Sequence, residues 1–300
     1  MKKMTEKQWV WRQVGNFIFS ALFFISILGL GVVFYGMQHA RAVVGYDVPL
    51  EVVALDVGQG DAILAQSGKD LQMLIDGGPS DQVLEKLGEH MPRGDRTIEY
   101  VILTHPDSDH VTGLVEVIRR YQIQNVLITG IVDYLPEYQE FLSEIKKNNV
   151  AVKIIENPQE LAFGKAVVQI LYPLRSLNNV YPASSNNTSI VTRIVLGENE
   201  ILLTGDLEQE GEKLLFDSGV DLKADVFKAG HHGSKSSSFL EFVKAVKPDY
   251  VIISAGLNNS YGHPHYTILD RFRSIGARIF RTDLQGDITI QTDGKNLQVF

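Results

Sequence analysis

The chain contains no cysteine among its 300 residues. Without thiols there can be no disulfide framework and no thiolate ligand for zinc, so a bound metal must rest on His, Asp, Glu or Asn. Basic residues are also scarce, with 28 Lys and Arg against 36 Asp and Glu, and after residue 42 only 23 basic residues face 35 acidic ones. So acidic a region would repel a polyanion unless metal ions or a local basic face offset its field.

Long hydrophobic runs are absent except for one near the amino terminus. Residues 17–35 are uncharged and mostly apolar, which is close to the roughly twenty residues that a membrane-spanning helix needs. Four basic residues precede this run and only Arg41 follows it closely, so the positive-inside rule places the amino terminus in the cytoplasm. The small-x-small sequence at 40–42 leaves a cleaved signal peptide open as the alternative.

The expected organisation follows from this run. We expect a cytoplasmic basic segment at 1–16, a transmembrane helix or uncleaved signal at 17–36, a linker at 37–49 and one catalytic domain at 50–300. The protein would then be a single-pass cell-membrane protein with an extracytoplasmic domain, or a secreted one if the signal is cleaved.

Beyond the linker, short β-branched runs alternate with amphipathic stretches. The pattern predicts strands at 51–57, 62–66, 71–76, 99–105, 126–129, 151–155, 166–171, 190–196, 200–204, 225–229, 250–254, 288–291 and 297–300. It predicts helices at 82–90, 112–121, 137–148, 209–216, 239–246 and 267–274. A strand-rich opening and close around an alternating middle favours an α/β (α+β) fold with two sheets and helices on their outer faces.

The strongest chemical signal is a polar turn of six residues after the strand predicted at 99–105. Four metal-ligand side chains, His105, Asp107, Asp109 and His110, fall within it. Their carboxylates would repel one another unless divalent cations compensated the charge. The alternative is an Asp-rich helix cap at Ser108 or Asp109, before a helix that begins near residue 111.

Three further elements follow apolar strands in the same way. Asp206 ends the run at 201–204, where it either bridges two cations or caps the next helix. His231 and His232 stand in a Gly-flanked turn, and we expect one to bind metal and the other to face substrate. His263 and His265 form a weaker third pair, of which His263 is the candidate for substrate contact.

In combination these motifs resemble the metallo-β-lactamase superfamily. The resemblance rests on Asp76 in LIDGG, the THPDSDH run at 104–110, Gly205-Asp206 and the HHGS run at 231–234, and it extends over 53–265. More narrowly, the sequence resembles the extracytoplasmic hydrolase domain of ComEC-type DNA-internalisation competence proteins and the related choline-phosphate esterases. The resemblance implies a four-layer αββα sandwich with a dinuclear site at one edge.

The resemblance also implies a role for each residue of the site. His105 and Asp107 would hold the first metal, Asp109 and His110 the second, and Asp206 would bridge the two. His232 by preference would complete the second site, which leaves Asp109 and His231 as the expected catalytic residues. Asp76 would orient ligands from behind, and supporting or substrate contacts are expected from Asp61, Asn187, Ser234, Lys235 and His263.

Two departures from the superfamily pattern bear on the chemistry. Asp107 stands where most members have histidine, and no histidine occurs between His110 and Asp206, where the stretch 186–189 reads Asn-Asn-Thr-Ser. The first site is therefore richer in oxygen, which favours manganese or another harder ion over zinc. It also lacks its usual third ligand, which argues against β-lactam hydrolysis and toward phosphodiesters.

The expected function is a phosphodiesterase or nuclease, with DNA as a candidate substrate. A hydroxide held by two divalent ions, Zn or Mn, would attack phosphorus in line. Two alternatives remain open: an esterase for phosphorylcholine-type or other small phosphodiesters, and a non-catalytic envelope binding module. The membrane is the one partner that the sequence indicates, and it identifies no protein partner.

Overall fold

Residues 49–300 are described by the structure, a computed structural model. The predictions for 1–16, for 17–36 and for nearly all of the linker lie outside the described residues. Within the described range, no helix combines the length and the apolar character that crossing a bilayer requires.

The first of two β-sheets contains eight strands. They are β1 (Leu50–Ala54), β2 (Ile63–Gln66), β3 (Gln72–Ile75), β4 (Thr97–Ile102), β5 (Gln122–Ile128), β6 (Ala151–Ile154), β14 (Ile288–Thr292) and β15 (Leu297–Val299). Their spatial order is β15-β14-β1-β2-β3-β4-β5-β6, with β3 to β6 parallel and the other pairs antiparallel. The first strand therefore pairs with one of the last, and Leu50 lies opposite Thr292.

The second sheet contains seven strands. They are β7 (Gln159–Phe163), β8 (Ala166–Tyr172), β9 (Val191–Leu196), β10 (Asn199–Leu203), β11 (Val226–Lys228), β12 (Tyr250–Ile253) and β13 (Arg278–Arg281). Their order is β13-β12-β11-β10-β9-β8-β7, and β10 to β13 are parallel. Each sheet thus has one parallel half, and the carboxyl ends of parallel strands share one edge of the sheet.

The helices divide between the outer faces of the two sheets. Helices α1 (Gln82–His90), α2 (Ser108–Arg120) and α3 (Pro136–Lys147) pack on the first sheet, and α4 (Gln209–Asp217), α5 (Leu240–Val246) and α6 (Tyr266–Ser274) pack on the second. A short helix α7 (Thr282–Gln285) precedes β14, and 3-10 turns cover Asn186–Thr188 and Gly230–Gly233. In α2, Val111, Leu114, Val115 and Ile118 recur at the helical period and form the buried face.

Three apolar layers hold the sheets and helices together. One cluster fills the space between the sheets and takes side chains such as Val52 and Ile201 from both. The other two clusters lie between each sheet and its helices, for example Leu74 with Leu114 and Phe227 with Phe272. The central parallel strands, such as β3 and β12, are buried on both faces, which explains why they read as continuous apolar runs rather than alternating ones.

The two-sheet sandwich with outer helices was predicted from the sequence and is confirmed. Helix α2, however, begins at Ser108 rather than near residue 111, so Asp109 and His110 belong to its first turn. Two strands were not predicted. The edge strand β7 has only one buried residue, Phe163, and β13 reads Arg-Ile-Phe-Arg, so neither shows a clear apolar signal.

Candidate metal centre

The turn between β4 and α2 delivers the first cluster of side chains. Asp107 is the N-cap residue of α2 and its side chain makes no capping hydrogen bond; Ser108 and Asp109 lie inside the helix, so the alternative of a helix cap at either of them does not hold. Asp107 instead faces a cavity together with Asp109, while His105 and His110 are buried. The loop from β1 to β2 packs against this turn at Gly60, which has a φ of 146°. A Cβ atom at this position would lie only 2.2 Å from the backbone carbonyl oxygen of Asp109, so no residue with a side chain fits there.

Asp76 supports the cluster from below. It follows β3, is buried, and accepts the backbone N–H and the hydroxyl of Thr104 at 2.8 and 2.7 Å. Its Oδ2 also lies 2.8 Å from Nδ1 of His110. The carboxylate thereby joins the ends of two parallel strands to the first turn of α2 and fixes the orientation of the His110 ring.

Asp206 lies at the end of β10 and faces the same point from the second sheet. Its Oδ2 is 3.4 Å from Nε2 of His110 and 3.2 Å from Nε2 of His232, and its backbone N–H donates to Ser189 Oγ at 3.1 Å. Its Oδ1 is buried and has no hydrogen-bond partner. Asp206 therefore stands between the two sheets with one carboxylate oxygen that makes no hydrogen bond to the described residues.

The paired histidines follow β11 in left-handed backbone conformations, with φ of 47° for His231 and 52° for His232. This region is sparsely populated by residues other than glycine, and each such residue costs about 1–3 kcal/mol that the surrounding structure must offset. This backbone conformation makes the two imidazole rings point in different directions, and their planes differ by 71°. His232 reaches Asp109 Oδ2 at 3.2 Å, whereas Nδ1 of His231 lies 3.0 Å from Ser236 Oγ.

Hydrogen bonds at Nδ1 determine which ring nitrogen is free in three of the imidazoles. Nδ1 of His110 faces the Asp76 carboxylate, and Nδ1 of His232 lies 3.1 Å from the Ser254 carbonyl oxygen, so each of these nitrogens donates. Nδ1 of His105 lies 3.0 Å from Thr104 Oγ1, whose own proton goes to Asp76, so His105 donates there as well. Each ring therefore turns Nε2 toward the centre, and Nε2 of His105 and of His110 is buried without a hydrogen-bond partner.

The carboxylates of the centre carry negative charge that favours binding of a positive charge beside them. Burial disfavours the charged form of His110 and of His232, yet Asp206 and the other carboxylates around them raise the pKa of both rings well above the usual range. Burial, and then the charge on His110, lowers the pKa of His105 to about 4. A divalent cation would supply the positive charge that the protons on His110 and His232 otherwise provide, so the donor set fits a metal.

Two groupings of potential ligands result. Asp109, His110, Asp206 and His232 each offer a donor atom, and these atoms lie within 4.8 Å of one another. Nε2 of His105 lies 3.7 Å from Asp107 Oδ2 and forms a second, smaller pair beside them. Both face a cavity of about 410 Å³ lined by Gln59, Pro106, Asp107, Ser108, Asp109, Asp133, Leu135, Asp206, His231, His232, Tyr261 and His263.

The residues predicted to support the site or contact substrate lie in different places. Asp61 is buried behind His232, with its Oδ1 3.4 Å from Nδ1 of that ring, so it contacts a site residue and does not line the cavity. Asn187 does not line the cavity, because its Oδ1 accepts the backbone N–H groups of Glu208 and Gly211 at 3.2 and 3.3 Å. Ser234 and Lys235 are also outside the lining, whereas His263 is part of it.

Lys228, the last residue of β11, is a member of the site that sequence reasoning missed. Its side chain is 1% exposed, and Nζ contacts Asp61 Oδ2, donates to the Gly205 carbonyl at 3.2 Å and lies 3.6 Å from Asp206 Oδ1. Burial disfavours the ammonium, but the Asp61 carboxylate raises the pKa of Lys228 above its usual value. A lysine within an otherwise apolar strand was the available signal, since buried lysines are almost always paired.

Comparisons with known proteins agree on one family. A model described as the metallo-beta-lactamase superfamily matches residues 55–256. The chain is 34% identical to ComE operon protein 3 of Bacillus subtilis (strain 168), over 82% of this chain and 33% of that protein. It is 30% identical to competence protein ComA of Neisseria gonorrhoeae, over 78% of this chain and 31% of that protein. The chain thus spans about a third of the length of these relatives.

A solved structure shows the same fold. The metallo-beta-lactamase fold protein YhfI from Bacillus subtilis superposes with a TM-score of 0.52 over 78% of this chain and 96% of its own length, at 14% sequence identity.

Proposed function

The chain belongs to the metallo-beta-lactamase superfamily, and from that premise we propose that it is a metal-dependent phosphodiesterase that cleaves nucleic acid strands outside the membrane. The observation that carries the proposal is the grouping of donor atoms from Asp109, His110, Asp206 and His232 within 4.8 Å of one another, beside a cavity that Asp109, Asp206 and His232 line. Two divalent cations bound there would supply Lewis acidity and an activated water molecule.

The lining of the cavity favours an anionic substrate only together with cations. Four of its side chains are carboxylates, those of Asp107, Asp109, Asp133 and Asp206, and none is lysine or arginine. A phosphodiester would be repelled by such a lining alone, whereas cations held by His105, His110 and His232 reverse the field. The residues of the centre would thus make phosphate binding depend on metal.

His231 is the residue that we assign to proton transfer at the substrate. It lines the cavity and is a quarter exposed. Its Nε2 lies 3.9 Å from Asp206 Oδ2, and it is not a member of the group formed by Asp109, His110, Asp206 and His232. Ser236 Oγ at 3.0 Å and Glu208 Oε1 at 3.5 Å hold its Nδ1 side. The ring is therefore positioned to donate a hydrogen bond to a phosphoryl or leaving-group oxygen.

Exposed aromatic rings beside the cavity favour a nucleic acid strand over a small ester. Tyr261 lines the cavity and is 70% exposed, and Tyr134, adjacent to the lining residues Asp133 and Leu135, is 76% exposed. The Tyr134 ring lies 6.2 Å from the ring of Tyr181, another exposed tyrosine. Bases stack on such faces with about 1–3 kcal/mol each, independently of sequence.

The place of action is proposed from residues 17–36. Their apolar run and the basic residues before it favour an anchor that leaves the domain outside the membrane, or a signal that releases it. Membrane fractionation tests this assignment: the 300-residue chain should resist carbonate extraction, and an added external protease should digest residues 49–300 in intact cells. Protection of those residues in intact cells would contradict the proposal.

Hydrolysis assays test the activity. The 300-residue chain in detergent is incubated with single-stranded DNA, duplex DNA, bis(p-nitrophenyl) phosphate and a phosphorylcholine ester, with Mn²⁺ or Zn²⁺. We expect cleavage of DNA that Asp109→Ala abolishes and that Asp70→Asn, a surface carboxylate variant, leaves unchanged. Turnover of the small esters alone would favour the esterase alternative, and neither metal binding nor turnover would favour a binding module.

A further inference from the structure

We propose that the side-chain oxygen of Asn186 is a protein ligand of the first cation, beside His105 and Asp107. The inference rests on the proposed metal centre and deepens it, because it assigns the donor that the first pair lacks. Asn186 opens the 3-10 turn between β8 and β9.

An unpaired oxygen is the first observation. Oδ1 of Asn186 is buried without a hydrogen-bond partner, while Nδ2 of the same amide lies 3.5 Å from Nδ1 of His231. Buried carbonyl oxygens are almost always paired in folded proteins, so an orphan beside a metal centre points to a cation as the partner. The neighbouring Asn187 is the internal contrast, because its Oδ1 accepts two backbone N–H groups.

The turn that carries Asn186 lies beside both residues of the first pair. Ser185, on one side, lies close enough to the Asp107 carboxylate to favour its charged form. Ser189, on the other side, has its Oγ 3.4 Å from Nδ1 of His105 and accepts the backbone N–H of Asp206 at 3.1 Å. The Ser189 hydroxyl donates to the backbone carbonyl of Asn186 at 2.7 Å, which connects the turn to the backbone of Asp206.

The resulting donor set has a definite chemical preference. His105 supplies one nitrogen, whereas Asp107, Asn186 and the bridging Asp206 supply oxygen. A set dominated by carboxylate and carbonyl oxygen suits manganese or magnesium better than zinc, which prefers nitrogen and sulfur donors. Asn186 adds this oxygen without adding a negative charge to a cavity that already holds four carboxylates.

Metal stoichiometry measured without turnover tests the proposal. The 300-residue chain is titrated with Mn²⁺ and followed by electron paramagnetic resonance and by metal analysis after gel filtration. We expect two Mn²⁺ per wild-type chain with an exchange-coupled spectrum. Asn186→Ala should retain one ion and bind the other at least about tenfold more weakly. Asn186→Asp, which keeps the oxygen, should retain both.

Two further variants separate ligation from folding. Asn187→Ala, the matched control, should lower the melting temperature but keep two coupled ions, because its oxygen serves the backbone. Asn186→His should bind two ions and shift the preference toward Zn²⁺. Two coupled Mn²⁺ with unchanged affinity in Asn186→Ala would overturn the inference and leave the proposed function intact. Failure of the wild-type chain to bind any Mn²⁺ would overturn both.

Discussion

The described residues contain two clusters of histidine and aspartate that look alike by distance and differ in what they leave unpaired. In the candidate metal centre, Nε2 of His110 and Oδ1 of Asp206 are buried without hydrogen-bond partners. In the second cluster, which we call the lysine-bridged cluster, Nε2 of His90 lies 2.8 Å from Asp287 Oδ2. There Lys86 Nζ approaches both oxygens of Asp287 at 3.1 and 3.3 Å, and the backbone N–H of Asp56 donates at 2.7 Å.

The difference shows what distinguishes a cluster that can bind a metal ion from an ion-pair cluster that only stabilises the fold. Both clusters bring histidine and carboxylate atoms close enough to hold a metal ion. In the lysine-bridged cluster, however, an ammonium already supplies the cation and every oxygen of Asp287 has a partner. Unpaired buried donors, rather than proximity, therefore distinguish the centre, and five substitutions test this distinction from the largest expected effect to the smallest.

Removal of one imidazole from each cluster should have opposite consequences. We expect His110→Ala to lose cation binding at the four-residue group and at least about 10³-fold in kcat/KM, equivalent to about 4 kcal/mol. His90→Ala should keep metal content and activity and lose only stability. Metal analysis, kinetics and urea unfolding measure the three quantities, and loss of metal in His90→Ala would break the distinction.

The buried Lys228 shows that a cluster can contain a lysine and still offer donor atoms to a metal ion. Lys228→Met leaves two buried carboxylates, Asp61 and Asp206, with one cationic partner fewer, and breaking a buried pair costs about 3–5 kcal/mol. We expect a loss of about 3 kcal/mol with EDTA and a smaller loss with Mn²⁺, because the cation compensates Asp206. Equal losses in urea unfolding under both conditions would contradict this account.

Asp287→Asn should cost about 2 kcal/mol at neutral pH. Although burial works against the carboxylate, the hydrogen bonds from His90, Asp56 and Lys86 lower the pKa of Asp287 to about 2. A lowered carboxyl pKa contributes stability that is present above the unfolded value near 4 and is lost as the pH falls toward 2. Urea unfolding at pH 7, 4 and 2.5 should show wild type and variant converging in acid, with the metal content unchanged at neutral pH.

Glu89→Gln should have the smallest effect, within about 0.5 kcal/mol. Glu89 completes the potential ligand group of the lysine-bridged cluster by distance, but its side chain is 54% exposed and reaches only Lys86, at 3.8 Å. Surface ion pairs of this kind contribute little. A change of metal content or of melting temperature by several degrees would show that the cluster binds an ion after all.

The sequence was sufficient for the layered architecture and for the four strand ends at which the centre is built. Asp76 and His105 follow neighbouring parallel strands of the first sheet, and Asp206 and His231 follow neighbouring parallel strands of the second, so each pair lies at one edge of its sheet. The hydrolase fold and the resemblance to competence proteins were also predictable, since the motifs are specific to the superfamily.

Contacts between distant segments were not predictable from the sequence. Asp61 reads as a loop residue, and only the approach of Lys228 from the other sheet explains why it is buried. The start of α2 was misplaced because Asp107 takes the cap position without a side-chain capping bond. The edge strand β13 went unpredicted because Arg278 packs over the rings of Tyr250 and Phe280, a contact that local hydropathy does not register.

The pairing of β1 with β14 has a consequence for how the protein is made. Leu50 can pair with Thr292 only after roughly 240 further residues have been synthesised. At about 5–20 residues per second, this synthesis takes about 12–50 s. During that interval β1 has a free edge on the side where β14 will pair, which is a hazard for aggregation. Chaperones that protect nascent or translocating chains should therefore matter more for this fold than for one whose first strands pair locally.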